Sequence, residues 1–310
     1  MSIDGTRSTV GFPRAESTAA AAAIEHRALR RRLFAAALAL LPALLFLAVF
    51  FVGPLAVNVS QSLQPATPGA LTLSHYAGFL VDGYFYRVLG QTLLLAALVT
   101  LLCLVAGYPF AYALTRTDGR ARAVLMMSLI APLLVNVVVR SYGWMVLIGG
   151  GGVFDALAQR LGLGGFNLMY SWTGITIALV HVLLPLMVIA LASQLDALDD
   201  HYAQAAATLG ASPLKTFWCV TLPLTVEGIV TGSIIVFTMT LGSFVTVMLI
   251  GDNSTMVLPL LIYQKLTVTM DWPGAATLGI MLLVCVGALL WLQAFARQWF
   301  SARVMQRRIA

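Results

Sequence analysis

Two side chains interrupt long apolar stretches where ionisable groups are hardest to keep, Arg140 and His181. A charge at the bilayer centre costs at least about 2.5 kcal/mol, so Arg140 needs a partner, an aqueous path or a headgroup. Asn136 lies one helical turn before it, and Tyr142 and Trp144 follow closely. Two readings stand for Arg140. It snorkels to the headgroups beside Tyr142 and Trp144, or it faces an aqueous pathway, paired or structural, with Asn136 on the same face. His181 precedes Pro185 by four residues, and a proline in a spanning helix frees a backbone carbonyl. A helix–helix hydrogen bond and a proton relay are the alternatives there. Glu227 is placed to reach the nearer membrane interface, and Gly228 with Gly232 forms a GxxxG pair suited to close helix packing. Tyr84, Phe85, Tyr86 and Trp272 read as an aromatic belt.

No energy-converting machinery accompanies these residues. The pattern GxxxxGK[ST] is absent, and the only two lysines, Lys215 and Lys265, follow Leu and Gln. HExxH and GxSxG are absent too. Cys103, Cys219 and Cys285 lie far apart without metal-ligand spacing. The expectation is no catalysis, no metal site and no cofactor on this chain, with energy supplied by another subunit or by an ion gradient. An ion-coupled secondary transporter would call for acidic sites near the midplane, and no span has a central Asp or Glu.

The composition requires a membrane to hold these residues in place. The chain has 310 residues, is 60% hydrophobic and 10% charged, and has a mean hydropathy of +0.92. Soluble domains have about 25% charged residues, so a soluble enzyme is excluded. A bilayer core of about 30 Å needs about 20 apolar residues of helix. That window predicts six spans, at 34–57, 92–114, 124–147, 172–195, 224–250 and 275–292. The net charge of +6 sits in short stretches, which suits membrane topology and not nucleic acid. Fourteen Lys and Arg fall on one side of the six spans and three on the other, which predicts that both termini are cytoplasmic. The predicted organisation is a disordered basic tail over 1–32, a six-helix domain over 33–297 and a basic tail over 298–310. In the outer loops, 155–161 reads as a short surface helix and 255–266 as an amphipathic or re-entrant segment interrupted by Pro259.

The longest inner loop, 196–223, has an unusual sequence. Asp199 or Asp200 can cap a helix that runs through the alanines 203 and 205–207. Gly210 suits the left-handed end of that helix. Ser212 before Pro213 suits the cap and first position of the next. A helix with a nearly all-alanine exposed face lets another surface approach within backbone distance. The pattern alone fits either such a docking face or a plain structural loop.

The stretch resembles the signature of the permease subunits of ATP-binding-cassette importers: Glu-Ala-Ala, three residues, Gly, nine residues, Ile, one residue, Leu-Pro. Gln204-Ala205-Ala206, Gly210, Val220 and Leu222-Pro223 match at those spacings. The resemblance is closest to permeases of the spermidine/putrescine type. It extends through Tyr108-Pro109-Phe110-Ala111-Tyr112-Ala113, Pro132, Arg140-Ser141-Tyr142-Gly143-Trp144, Leu184-Pro185 and Trp272-Pro273-Gly274-Ala275-Ala276.

The resemblance implies an all-α, type I importer permease fold in a bacterial inner membrane. It implies a second permease subunit, identical or distinct, and two cytoplasmic ATP-binding subunits that carry ATP and Mg. It also implies an external solute-binding protein, and a solute such as a polyamine or a related amine, with opines or phosphonates as alternatives. It makes the loop a coupling helix that docks the ATPase through Tyr202, Gln204, Ala205, Ala206, Leu209, Gly210, Ala211, Ser212 and Pro213. Asn136, Arg140, Tyr142, Trp144 and His181 are then candidates for the pathway. Gln204 replaces the family's usual Glu, so an ion pair to the ATPase becomes a neutral hydrogen bond, about half as strong.

Overall fold

The computed structural model describes residues 40–64, 72–162, 165, 167–199 and 201–306. The expected tail 1–32 and Asp200 lie outside the described residues. All regular structure among the described residues is helical.

The chain divides into two compact units, 1–58 and 59–310. The first unit carries most of α1, Leu40–Ser62, which is largely apolar and exposed until its end, where Ser62 is buried. The helix begins at the edge of the described residues and passes Val57, the expected end. It continues through Pro54 because a π-turn, Ala48–Val52, directly precedes that residue. Proline lacks an N–H and crowds the carbonyl four residues back, and a widened turn relieves both problems.

In the second unit, α2 (Ser74–Val81) leads into α3 (Gly83–Thr115), which Asp82 caps by accepting from the Tyr84 N–H at 2.9 Å. α3 thus starts nine residues before the expected 92, because its first turns are polar enough to fall outside a hydropathy window while remaining helical. The expected third span is two helices, α4 (Gly119–Leu134) and α5 (Val137–Ile148), separated by extended backbone at Val135. α6 (Val153–Arg160) realises the short surface helix, its loop stapled by the Asp155 carboxylate, which accepts from the Gly151 N–H at 2.7 Å. α7 (Trp172–Asp196) matches its expected span to within one residue.

After the loop come α8 (His201–Thr208), α9 (Pro213–Leu224) and α10 (Val226–Leu241), with a 63° bend at Thr225. A second π-turn, Phe217–Thr221, precedes Pro223 as the first precedes Pro54. The expected fifth span does not reach 250 unbroken. It ends at Gly242, and α11 (Val245–Ile250) follows as a separate helix. Pro259 does not interrupt α12 (Leu258–Thr267) but starts it, at a position where its missing N–H costs nothing. α13 (Trp272–Gln306) outruns its span at both ends. No Gly or Pro follows Gly287 in it, so the helix continues into the expected tail.

The core lies where α3, α7 and α10 meet. Gly228 and Gly232 face α7: a Cβ on Gly228 would stand 2.8 Å from the Gln194 Cβ, and one on Gly232 2.6 Å from the Met187 Sδ. The GxxxG pair is therefore a packing device, as expected. Phe85 corrects the belt assignment. It is buried, with its ring against Phe79 and Tyr86, whereas Tyr84, Tyr86 and Trp272 are exposed.

Candidate functional site

The 196–223 loop folds as a knuckle at one end of the second unit. The Asp199 carboxylate accepts from the His201 N–H at 3.0 Å and opens α8. At the other end the Gly210 N–H donates to the Ala207 carbonyl at 2.9 Å, and the Ala211 N–H to the Ala206 carbonyl at 3.0 Å. This bond pair is a Schellman closure, and it places Gly210 at φ +79, a region that glycine enters freely. The Ser212 hydroxyl then accepts from the Lys215 N–H, with Pro213 as the first residue of α9.

Burial divides α8 into two faces. Ala203 and Ala206, one turn apart, are half-buried against the chain, while Tyr202, Gln204, Ala205 and Thr208 are exposed. Leu209, at the tip, is 89% exposed. Of the other expected docking residues, Gly210, Ser212 and Pro213 are exposed and Ala211 is half-buried. Seven of the nine residues assigned to the docking face are thus exposed on one knuckle, while Ala206 and Ala211 turn partly toward the chain.

The knuckle is keyed to the core by aromatic residues that the loop's own sequence did not single out. The Phe217 ring meets Tyr108 edge-on at 5.4 Å and Tyr112 at 6.3 Å, both on α3. The Tyr108 hydroxyl reaches Thr225, at the α9–α10 bend, at 2.7 Å in a buried contact. The Thr225 hydroxyl also lies 3.1 Å from each of the carbonyls of Thr221 and Leu222. The available signal was the i, i+4 spacing of Tyr108 and Tyr112, which places both rings on one face of α3. Behind α8 lies a cavity of about 150 Å³ whose lining includes Arg116, Asp196, Asp199 and Tyr202. The Arg116 guanidinium sits over the Tyr112 ring at 5.4 Å. An ion pair between Arg122 and Asp196 ties the start of α4 to the end of α7.

Of the expected pathway residues, Arg140, Trp144 and His181 lie near one another, and Asn136 and Tyr142 stand apart from them. Asn136 is the N-cap of α5, its side chain accepting from the Val138 N–H at 2.9 Å. Arg140 meets backbone carbonyls and, among the described residues, pairs with no carboxylate. Its Nη1 donates to the Pro132 carbonyl at 2.8 Å and the Val135 carbonyl at 3.4 Å, at the end of α4. Trp144 meets His181 edge-on with ring centroids 5.3 Å apart. Tyr142, two residues from Arg140 on the helix, presents another face and is 54% exposed. Among the described residues, no three His, Cys, Asp or Glu side chains converge to hold a metal ion.

Residues 104–301 match the family model of the binding-protein-dependent transport system inner membrane component. The chain belongs to this family. Spermidine/putrescine transport system permease proteins are among its relatives. PotB of Salmonella typhimurium is 32% identical over 241 residues, covering 77% of this chain and 82% of the relative. PotB of Haemophilus influenzae is 28% identical over 267 residues, covering 86% and 91%. A solved bacterial ABC transporter that imports the acidic polysaccharide alginate superposes with a TM-score of 0.74. It covers 89% of this chain and 98% of that one, at 16% identity, which shows the fold alone.

Membership in the inner membrane component family settles the class. The chain is a multi-pass inner-membrane permease subunit of an ATP-binding-cassette importer, a transport component and not an enzyme, with ATP hydrolysis on a separate subunit. The two interrupted spans would by themselves have suited a secondary transporter. The family excludes that reading.

Proposed function

We propose that this permease forms half of a translocation pathway for a polyamine such as spermidine or putrescine, or for a related amine or amino-acid derivative. The PotB relatives support the solute class. In this reading both termini face the cytoplasm, as the fourteen-to-three distribution of Lys and Arg favours. The chain pairs with a second permease subunit. An external binding protein delivers the solute, as in the alginate transporter solved with a pentasaccharide-bound periplasmic protein. Two cytoplasmic ATPases, holding ATP and Mg, dock on the knuckle.

The observation that carries the docking assignment is the accessibility of α8, with Leu209 at its tip 89% exposed. A large apolar side chain so exposed at the end of a short, well-capped helix gains stability by entering a cleft on a partner. Gln204 and Tyr202 supply hydrogen bonds around it. The ATPases close on ATP, draw the knuckles together and bias a two-state pathway. The Phe217–Tyr108–Thr225 contacts carry that displacement into α3 and α10.

Reconstitution into vesicles tests the reading. Uptake of radiolabelled spermidine or putrescine is expected only when the permease partner, the ATPase and the binding protein are all present with ATP. Uptake by this chain alone overturns the assignment. A binding protein from the same system that retains an opine or phosphonate, and no polyamine, overturns the solute class while leaving the transport mechanism in place.

A further inference from the structure

The two interrupted spans break after helices of equal length. α4 and α10 each run 16 residues before the joint, about 24 Å at 1.5 Å per residue. Beyond the joints, α5 and α11 pack on each other, with the buried hydroxyls of Ser141 and Thr246 3.3 Å apart. The same linker seals both helix ends. The Leu168 N–H donates to the Ile148 carbonyl at 3.0 Å, and the Tyr170 N–H to the Ile250 carbonyl at 2.9 Å. α5, α11 and residues 167–170 thus make one small lobe, attached to α4 and α10 by two short joints and packed on α7, where Trp144 meets His181.

The first joint is clipped. Arg140 reaches back from α5 across Val135 and Asn136, placing Nη1 on the Pro132 and Val135 carbonyls. The last carbonyls of α4 have no helical partner and form the negative end of its dipole, so a cation there is strongly favoured. The second joint has no such group. At Gly242–Phe244, the Ser243 hydroxyl donates to Met239, on its own helix.

We infer that Arg140 is the positioning residue of a two-jointed gate. Its guanidinium fixes α5 to the end of α4, so the α5–α11 lobe follows as a unit when α4 and α10 move. This rests on the ATP-driven, two-state reading above. It also explains how a cation is tolerated beside a polyamine route, because the charge is directed at a helix end and not at the solute.

The test compares Arg140→Gln with Arg140→Lys in the assembled transporter, reconstituted with its ATPase and binding protein. Wild-type ATP-driven uptake is the control, and its absence is a failure of the transport reading and not of the gate. In Arg140→Gln, the maximal uptake rate is expected to fall about tenfold, the effect of losing charge-assisted bonds at the joint. Half-saturating solute is expected to stay within about twofold of wild type. The lysine variant keeps a cationic donor and is expected to recover most of the rate. Spin labels at Met127 on α4 and Val146 on α5, with the native cysteines replaced by alanine, supply a readout independent of transport. Their distance distribution is expected to broaden in Arg140→Gln.

An unchanged rate and distribution in Arg140→Gln overturns the proposal. So does a change confined to half-saturating solute, which makes Arg140 a solute contact. If Arg140→Gln does not assemble, a disulfide between Ser141→Cys and Thr246→Cys, with Arg140 intact, decides the question. Retained uptake in the crosslinked transporter supports a lobe that moves as a unit, and lost uptake overturns it.

Discussion

α1 passes Pro54 by way of a π-turn, and three further spanning helices hold an interior proline without one, with differing outcomes. α3 runs unbroken past Pro109 and α7 past Pro185, whereas α4 ends two residues after Pro132. Proline chemistry is the same in all three, so the surroundings decide. The most apolar stretch of α7 is 56% buried and that of α3 39%. The stretch that includes α5, on the far side of the break, is 11% buried. Where neighbours enclose a helix, packing outweighs the few kcal/mol that a missing hydrogen bond and a crowded carbonyl cost. In α4, where they do not and no π-turn relieves the proline, the helix stops and the ends are satisfied by caps, here Asn136 for one helix and Arg140 for the other. The molecule is thus held together in two ways, by filled space in the core, to which Ile148, Val247 and Ile250 of the α5–α11 lobe belong, and by end-group chemistry in the knuckle and at the joints of that lobe.

Two glycines separate these regimes most sharply. Gly232 has no room for a side chain but has ordinary helical backbone, whereas Gly210 has open space and φ +79. Gly232→Leu is expected to have the largest effect of any change discussed, about 3 kcal/mol or more of destabilisation from overpacking against Met187 and Ala190. Loss of monodisperse protein in detergent, or a steep fall in Tm, is the readout. A Tm near that of wild type would mean that α7 and α10 are not closely packed. Gly210→Val is expected to leave insertion and Tm nearly intact. A β-branched residue in the left-handed region costs about 1–2 kcal/mol, enough to misplace α8 and cut ATP-driven uptake about tenfold. Gly210→Asn, which tolerates that backbone, is expected to retain uptake. Normal transport in Gly210→Val would make the knuckle a passive linker.

The same division explains which features could be read from the amino-acid sequence. The knuckle's turn chemistry is local: Gly210, Ser212 and Pro213 specify its geometry within four residues, and the structure follows them closely. α7 was also readable, because its apolar stretch and its helix coincide. The breaks at 135–136 and 242–244 lie inside continuous apolar runs, and a 20-residue hydropathy window averages across them. Asn136 and the Gly242-Ser243 pair are the visible signals, each a good terminator, but Asn136 also reads as a pathway group or as a link between two helices. With the break missed, the target of Arg140 could not be found, since the carbonyls it meets exist as free acceptors only where α4 ends. α3 and α13 extend past their expected bounds for a simpler reason. Hydropathy marks where a helix meets lipid, not where its backbone stops.

Tyr108→Phe tests the link between the two regimes. It removes the buried bond to Thr225 while the ring still packs on Phe217. Because Thr225 retains its backbone acceptors, the expected cost is about 1 kcal/mol, with uptake reduced and the ATPase still bound. A variant indistinguishable from wild type in both Tm and uptake would remove this contact from the path between knuckle and core.

The smallest expected effect lies at the opposite end from the knuckle, where an end cap includes a charge. Asp271 accepts from the Gly274 N–H at 2.9 Å, opening α13, and pairs with Lys265 at 3.0 Å. Burial pushes the Asp271 carboxyl up, but the Gly274 N–H and the bond to and charge of Lys265 outweigh it and hold the carboxyl below its ordinary value. A carboxylate whose pKa is lowered by folding stabilises the fold in its ionised form. That contribution is complete above the unfolded value of about 3.9 and is lost as pH falls through the lower folded value. Replacing Asp271 by Asn is therefore expected to cost about 0.5–1 kcal/mol at neutral pH. The Tm difference from wild type should stay level from about pH 7 to pH 5 and shrink below about pH 4. The Tyr108→Phe difference should not change over the same range, because neither Tyr108 nor Thr225 titrates there. An Asp271→Asn difference that persists undiminished in acid would mean that the capping geometry, and not the charge, holds this end of α13.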